Sequence, residues 1–257
     1  MSKKILMVLF SLFVVLFVAG CGKHGKLHEY DDFINYVNNL QCGMNDKKLD
    51  CGLEGKYEVI SNKTENITEE DIRYSHGVVG SKKRILTFEI KNTNLTFDVL
   101  SRYVCTGDID GSCFDYTYQL SDNFHYKAFE YYLNEYNKKV DFDNKLQYYS
   151  PGMGKYFSGW FDIKKQSELT YIINYMNGFL DYANSLNFKF IDDYEKFNIE
   201  FTEYKYENGA NYNLSIYFDI DENGQYTYKF RDDYYPSDEK LETYIYNYMN
   251  AEKIVFN

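Results

Sequence analysis

The stretch Tyr212–Phe230 reads YNLSIYFDIDENGQYTYKF. Tyr212, Leu214, Ile216, Phe218 and Ile220 recur at every second position, and Tyr226, Tyr228 and Phe230 do so again after Glu222-Asn223-Gly224. Side chains of a strand alternate between its two faces, so this period predicts two strands, each with one buried side. Asn-Gly between alternating runs is a strong short-range hairpin signal. The reading puts Ile216 in the core and Ser215 on the opposite face. Upstream, Phe197, Ile199 and Phe201 alternate in the same way. Between Ser167 and Leu186 the spacing lengthens to that of a helix, with Leu169, Ile172, Ile173, Met176, Leu180 and Ala183 on one face. Such a face needs a broad apolar partner, and the Tyr212–Ile220 sheet is the expected one. Pro236-Ser237 opens a last helix with Leu241, Tyr244, Ile245, Tyr248 and Met249 inward.

The first half of the chain uses the same vocabulary. Arg84–Lys91 and Leu95–Tyr103 alternate around Asn92-Thr93-Asn94, a second hairpin. Tyr57–Ile60 is a candidate strand, Asn62–Ser81 is polar and irregular, and Phe114–Tyr118 is a short strand beyond a loop at Cys105–Cys113. Asp31–Leu40 reads as a short amphipathic helix, and Gln41–Gly55 as a loop. A longer helix follows the capping candidates Ser121-Asp122-Asn123 and buries Ala128, Phe129, Tyr132, Leu133 and Tyr136. Strands arrive in local hairpins instead of alternating singly with helices. The expected class is therefore α+β, antiparallel sheets with amphipathic helices on one face. Pro151, Gly152, Gly154 and Gly159 make Val140–Phe161 the expected seam between an N-terminal half, 29–145, and a C-terminal half, 160–257. Both read helix, strands, helix, so they are either two similar halves or one continuous domain.

The first residues carry the most specific motif. Lys3 and Lys4 precede the apolar run Ile5–Val18, interrupted only by Ser11, which ends in Val18-Ala19-Gly20-Cys21. A short positive region, an apolar core and small residues at a junction are the pattern of a signal peptide. The junction resembles the lipobox of bacterial lipoproteins. In that family a diacylglycerol is joined to the cysteine sulfur and the peptide is cut just before it. The resemblance implies a signal peptide over 1–20, an acylated Cys21 as first mature residue, a polar tether over 21–28, and a place on the extracytoplasmic face of the cell membrane. It covers this segment alone. The apolar run is 14 residues long, short of the roughly 20 needed to span a bilayer.

Without residues 1–20, 26 basic residues face 39 acidic ones, a net charge of −13. That surface repels nucleic acid and anionic headgroups, so no nucleic-acid partner is expected and membrane association falls to the lipid. The 29 tyrosines and 20 phenylalanines fall mostly in periodic segments, as core builders do. Beyond Cys21, an even number of cysteines remains: Cys42, Cys51, Cys105 and Cys113. Four cysteines allow three pairings. Cys42–Cys51 and Cys105–Cys113 each close a short loop and are the expected ones. Zinc pairs usually stand two to four residues apart, and the gaps of eight and seven here do not match; free thiols are the remaining alternative.

Motifs for catalysis are lacking. There is no G-x-S-x-G, H-E-x-x-H, G-x-G-x-x-G or phosphate loop. His24, His28, His76 and His125 are scattered, with His125 twelve residues past Cys113. Asp219, Asp221 and Asn223 match the first half of a calcium loop, but the twelfth position, an acid in an EF-hand, is Phe230, so a hairpin turn is the reading. Tyr148, Tyr149, Tyr156, Phe157 and Trp160 cluster around the Gly-rich stretch Ser150–Gly154 and are the candidate binding surface, unless they fold back onto the core. The expected function is non-enzymatic binding of a protein or envelope component, with no cofactor. An envelope hydrolase built on dispersed carboxylates is the alternative.

Overall fold

The computed structural model describes residues 23–24, 26–43, 48–68, 82–109, 112–140, 147–151, 157–192, 196–201, 212–230 and 240–256. The chain forms two compact units and passes between them three times. Unit 1 comprises residues up to Val37 and Lys56–Asp122; unit 2 comprises Asn38–Gly55 and Asn123–Asn257. The sequence places its seam within Val140–Phe161, whereas the second crossing back into unit 2 falls at Asp122/Asn123. The reason is that the helix after Asn123 buries its face against unit 2's aromatic core.

Unit 1 is built on one five-stranded sheet among the described residues. Its strands are β1 (Lys23–His24), β4 (Tyr57–Asn66), β5 (Lys82–Ile90), β6 (Thr96–Ile109) and β7 (Ser112–Asp122), in the order β1-β7-β6-β5-β4. β4 to β7 form an antiparallel meander, while β1 pairs parallel to β7. The register sets Leu86 beside Val99 and Phe88 beside Phe97; these rings stack at 5.3 Å. Helix α1 (Tyr30–Asn38) inserts Phe33 and Val37 into the core, both fully buried. β4 runs on to Asn66, past the expected end at Ile60. A register shift between Val59 and Ser61 breaks the alternation and leaves Ile60 half exposed, which is why the sequence reads as irregular there. The expected Cys105–Cys113 loop is instead the end of the β6–β7 hairpin, with further register shifts at Cys105/Gly107 and Gly107/Asp108.

Unit 2 holds the second five-stranded sheet, in the order β12-β11-β10-β9-β8. Its strands are β8 (Gln147–Pro151), β9 (Phe157–Ile163), β10 (Lys196–Phe201), β11 (Tyr212–Ile220) and β12 (Tyr226–Phe230). The expected Tyr212–Phe230 hairpin is present, with Phe218 opposite Tyr228 and Ile216 opposite Phe230. β9 and β10 pair parallel, Ile199 beside Phe161, because helix α3 (Gln166–Asn184) carries the chain back across the sheet. That crossover separates the two topologies, so the halves are not copies of one arrangement. Pro151, expected to sit in a loop, ends edge strand β8, where no ladder donor is required.

One face of this sheet is apolar: Phe197, Ile199, Leu214, Ile216, Phe218 and Ile220 are each no more than 2% exposed. Helices α2 (Phe124–Val140), α3 and α4 (Leu241–Ala251) pack on it. Phe129 of α2 meets Phe218 at 5.3 Å, Phe179 of α3 meets it at 5.6 Å, and Tyr244 of α4 stacks on Phe230 at 3.8 Å. The stripe expected on α3 is buried except at Leu180, which is half-buried; Tyr175 and Phe179 are buried instead. The buried face turns toward α2, where Tyr136 lies against both rings at 5.3 and 5.7 Å.

This packing reverses a familiar substitution. Gly→Ala in a helix interior normally stabilises by about 1 kcal/mol. A Cβ on Gly178 would run into the Tyr136 hydroxyl, and that ring is wedged against Tyr182. Gly178→Ala is expected to lower stability by about 1–3 kcal/mol through overpacking. In a Tyr136→Phe background the penalty should shrink; equal chemical-denaturation midpoints for wild type and Gly178→Ala would refute the wedge.

Burial also fixes the alkaline limit. Burial, with Tyr131 and Tyr182 nearby, pushes the Tyr132 hydroxyl well above its ordinary value of 10. Burial raises Tyr228 too, whose hydroxyl donates to the Met176 carbonyl. Unfolded tyrosines release protons near pH 10 while these hold theirs, so the folded state binds more protons and stability falls as pH rises past 10. A cooperative alkaline unfolding transition, coincident with a late step in the tyrosinate absorbance, is the expected titration. Ionisation of every tyrosine near 10 with the fold intact would contradict it.

Candidate functional site

Unit 1 contains a polar cluster that no sequence motif announces. Arg84 and Ser101 face each other across β5 and β6, on the side covered by α1. Ser101 is fully buried. Its Oγ accepts the His28 backbone N–H at 3.3 Å and shares a 2.8 Å hydrogen bond with His28 Nδ1. The Arg84 guanidinium donates to the His28 carbonyl at 3.1 Å, lies 3.9 Å from the Glu29 carboxylate, and stands over the Phe33 ring. A serine beside a histidine has the makings of a nucleophile and base. Here the hydroxyl is sealed under its own partners, and the same oxygen holds a backbone amide. The pair works as a clamp on the segment entering α1. Tyr36 adds a further tie, donating to Asp122 at 2.6 Å. The expected tether over 21–28 is corrected at both described places: Lys23–His24 form β1, and His28 is pinned to the sheet.

Unit 2 contains the sulfur cluster. Cys42 and Cys51 are joined as expected, with Cα atoms 5.2 Å apart. Each is buried to within 1%. They close the ribbon of β2 (Gln41–Cys42) and β3 (Leu49–Asp50), which docks by backbone bonds from Gly43 to Ile191 and from Lys189 to Cys51, both 2.9 Å. His125, at the start of α2, brings Nδ1 to 3.8 Å from Cys42 Sγ and 3.3 Å from the Phe190 carbonyl. The sequence places His125 nearest Cys113; the fold sets it against the other cysteine pair. Two cysteines and a histidine form a familiar ligand set for a soft metal, but sulfurs bonded to each other offer no thiolate. The trio is a disulfide braced by an imidazole. Cys105 is also disulfide-bonded; the side chain of Cys113, its expected partner, lies outside the described residues, as does Cys21.

Tyr148 and Tyr149 belong to edge strand β8, Phe157 and Trp160 to β9, and register pairs Tyr148 with Trp160. Tyr156 and the side chains of Tyr148, Tyr149 and Phe157 lie outside the described residues. Trp160 is half-buried on the face of the sheet opposite to Phe197 and Ile199, at the level of Asn198. Asn198 is 1% exposed and accepts a 2.7 Å hydrogen bond from Ser215 Oγ.

The calcium candidates make a turn. Asp221 Oδ1 accepts the backbone N–H groups of Gln225 and Asn223 at 2.8 and 2.9 Å, and the Gln225 bond leads in holding the carboxyl below its ordinary range. Gly224, at φ +74°, supplies the left-handed residue the turn requires. Asp219 bonds the Ile220 N–H and sits 3.9 Å from Lys229. With those oxygens engaged, the motif's work here is to reverse the chain. Comparison with protein-family models, curated proteins and solved structures returns no match.

Proposed function

We propose that this chain is a bacterial lipoprotein, held through an acylated Cys21 at the extracytoplasmic face of the cell membrane, whose two units bind a protein or another envelope component. The observation that carries the reading is Val18-Ala19-Gly20-Cys21 behind a 14-residue apolar run and two lysines. The bonded cysteines suit it, because disulfides persist in oxidising, exported settings. Among the described residues no helix is long and apolar enough to cross a membrane. A binding role is favoured over catalysis by how the described polar groups are used. Ser101 and His28 clamp the leader, Asp221 shapes a turn, and Asp122 and Asp98 each accept a hydroxyl hydrogen bond.

Fatty-acid labelling of the expressed chain tests the anchor. Wild type is expected to incorporate labelled fatty acid and fractionate with membranes, while Cys21→Ala should incorporate none and keep its full precursor mass. An unlabelled wild type, or a Cys21→Ala protein indistinguishable from it, would overturn the assignment.

A further inference from the structure

We propose that the outer edge of β4 is an interface between two copies of this chain, paired antiparallel about a two-fold axis that passes between Ile60 and Ser61. This goes beyond the envelope binding proposed above, names the chain itself as a partner, and does not depend on the lipid anchor.

β4 ends the strand order of unit 1's sheet, and among the described residues no strand pairs with its far side. Glu58, Ile60 and the run from Asn62 to Asn66 are exposed. Which backbone groups face outward follows from the ladder. In an antiparallel pair, residues alternately bond across and point away. The Lys91 N–H donates to the Lys56 carbonyl at 2.9 Å, and Glu58 lies opposite Glu89. Glu58 therefore bonds inward, and Val59 presents its N–H and C=O outward. Beyond the extra residue at Ile60, Ser61 meets Thr87 and Lys63 meets Ile85. These two bond inward, and Asn62 and Thr64 face out. The side chains sort in the same way. Val59 and Asn62 lie on the side of buried Phe88 and Leu86, and Glu58 and Lys63 lie on the other.

Glu58 and Lys63 are five residues apart, an odd spacing that an unbroken strand would split between its faces. The extra residue at Ile60 puts both on one face. A two-fold pairing that sets Glu58 opposite the second copy's Lys63 also sets Val59 opposite Asn62 and Tyr57 opposite Thr64. Outward backbone groups then meet outward groups, side chains meet on matching faces, and Lys56 falls opposite Glu65. A slip of one residue sets outward groups against inward ones. A slip of two sets Lys56 opposite Lys63 or Glu58 opposite Glu65. The edge is thus self-complementary in a single register, as an isologous interface must be.

A second observation points the same way. Within its own sheet Glu58 stands directly opposite Glu89, a like-charge pair that destabilises. A lysine from a second copy would flank Glu58 on its open side and offset that repulsion. The same register brings Ile60, 51% exposed, beside its counterpart at the axis. Bulges and lysines on edge strands normally deter pairing; here they reject foreign strands and match a strand with the same bulge and charges. The net charge of −13 works against self-association, so the dimer is a reversible one.

The test follows the full chain by sedimentation equilibrium in a large excess of density-matched detergent micelles. Wild type is expected to pass from monomer to dimer as its concentration rises from micromolar to millimolar. Glu58→Lys and Lys63→Glu each create two like-charge contacts across the axis and should weaken the dimer about tenfold. The double variant Glu58→Lys/Lys63→Glu exchanges the charges and should return to within about threefold of wild type. Hydrogen exchange of wild type gives a second reading that needs no variant. The Asn62 and Thr64 amides should slow about tenfold in the dimer, while Ser61 and Lys63, bonded to β5, are protected in both states. A chain that stays monomeric throughout overturns the proposal. So does a dimer that ignores the charge reversals, is not restored by the exchange, or leaves the Asn62 and Thr64 amides exchanging as in the monomer.

Discussion

Phe129→Ala is expected to lower the stability of unit 2 by about 3–5 kcal/mol, the range for emptying a fully buried aromatic site. Phe129 is 0% exposed. Its ring lies 5.3 Å from Phe218, 5.6 Å from Phe179, 6.0 Å from Phe197 and 6.4 Å from Phe190. It thus joins α2 to α3, to the 188–191 segment and to two strands at once. Phe179, Phe197 and Phe218 also touch one another, at 5.0 to 5.8 Å, so the cavity is walled by rings that already support each other and cannot readily collapse. Edge-on pairs of this kind add to the area term. Phe129→Leu keeps most of the volume and should cost less than half as much. Guanidinium unfolding followed by tyrosine fluorescence reads the effect; a loss below about 1 kcal/mol for Phe129→Ala would mean that α2 does not pack on this face.

Ile216→Ala should cost about 2–5 kcal/mol. Ile216 is fully buried on the strand that pairs with both β10 and β12. Ser215 points to the other side, and alternation alone predicts that Ser215→Ala is nearly silent. The structure revises that expectation. Ser215 Oγ donates to Oδ1 of Asn198, whose side chain is 1% exposed. Removing the hydroxyl strands a buried amide, at a cost of about 1–3 kcal/mol. The pair is separable by a double-mutant cycle. Ser215→Ala with Asn198→Leu removes both partners and should recover part of the single-mutant loss. Additive losses would show that the bond carries no coupling, and an Ile216→Ala loss no larger than that of Ser215→Ala would break the assigned register.

How much of this was legible in the sequence varies with the range of the interaction. The period of two in Leu214, Ile216 and Phe218 assigns those residues to one face, and all three are buried together. Gly224 closes the hairpin because the left-handed turn position is a property of a few adjacent residues. The Cys42–Cys51 pair was readable because a short loop brings its own ends together at small entropic cost. Even the misplaced strand end at Ile60 has a local cause, one extra residue that shifts the alternation. The candidate site fared differently. Neither the clamp on His28 nor the imidazole beside Cys42 has any signature in spacing, since Ser101 lies 73 residues from His28 and His125 lies 83 from Cys42.

The sequence by itself determined the main helices and the alternating hairpin strands, which side of each is apolar, which turns close them, and that Val18-Ala19-Gly20-Cys21 resembles a lipobox. Side-chain chemistry and period suffice for these, because each is settled within a few residues. Only the tertiary structure decided which elements meet. β9 lies parallel to β10 because α3 returns the chain across the sheet. The helix after Asn123 joins unit 2, and Lys23–His24 become an edge strand instead of a tether. An apolar face specifies that it must be covered and not by what; the partner is chosen by the packing of the whole chain, where many faces of similar chemistry compete and geometry selects among them.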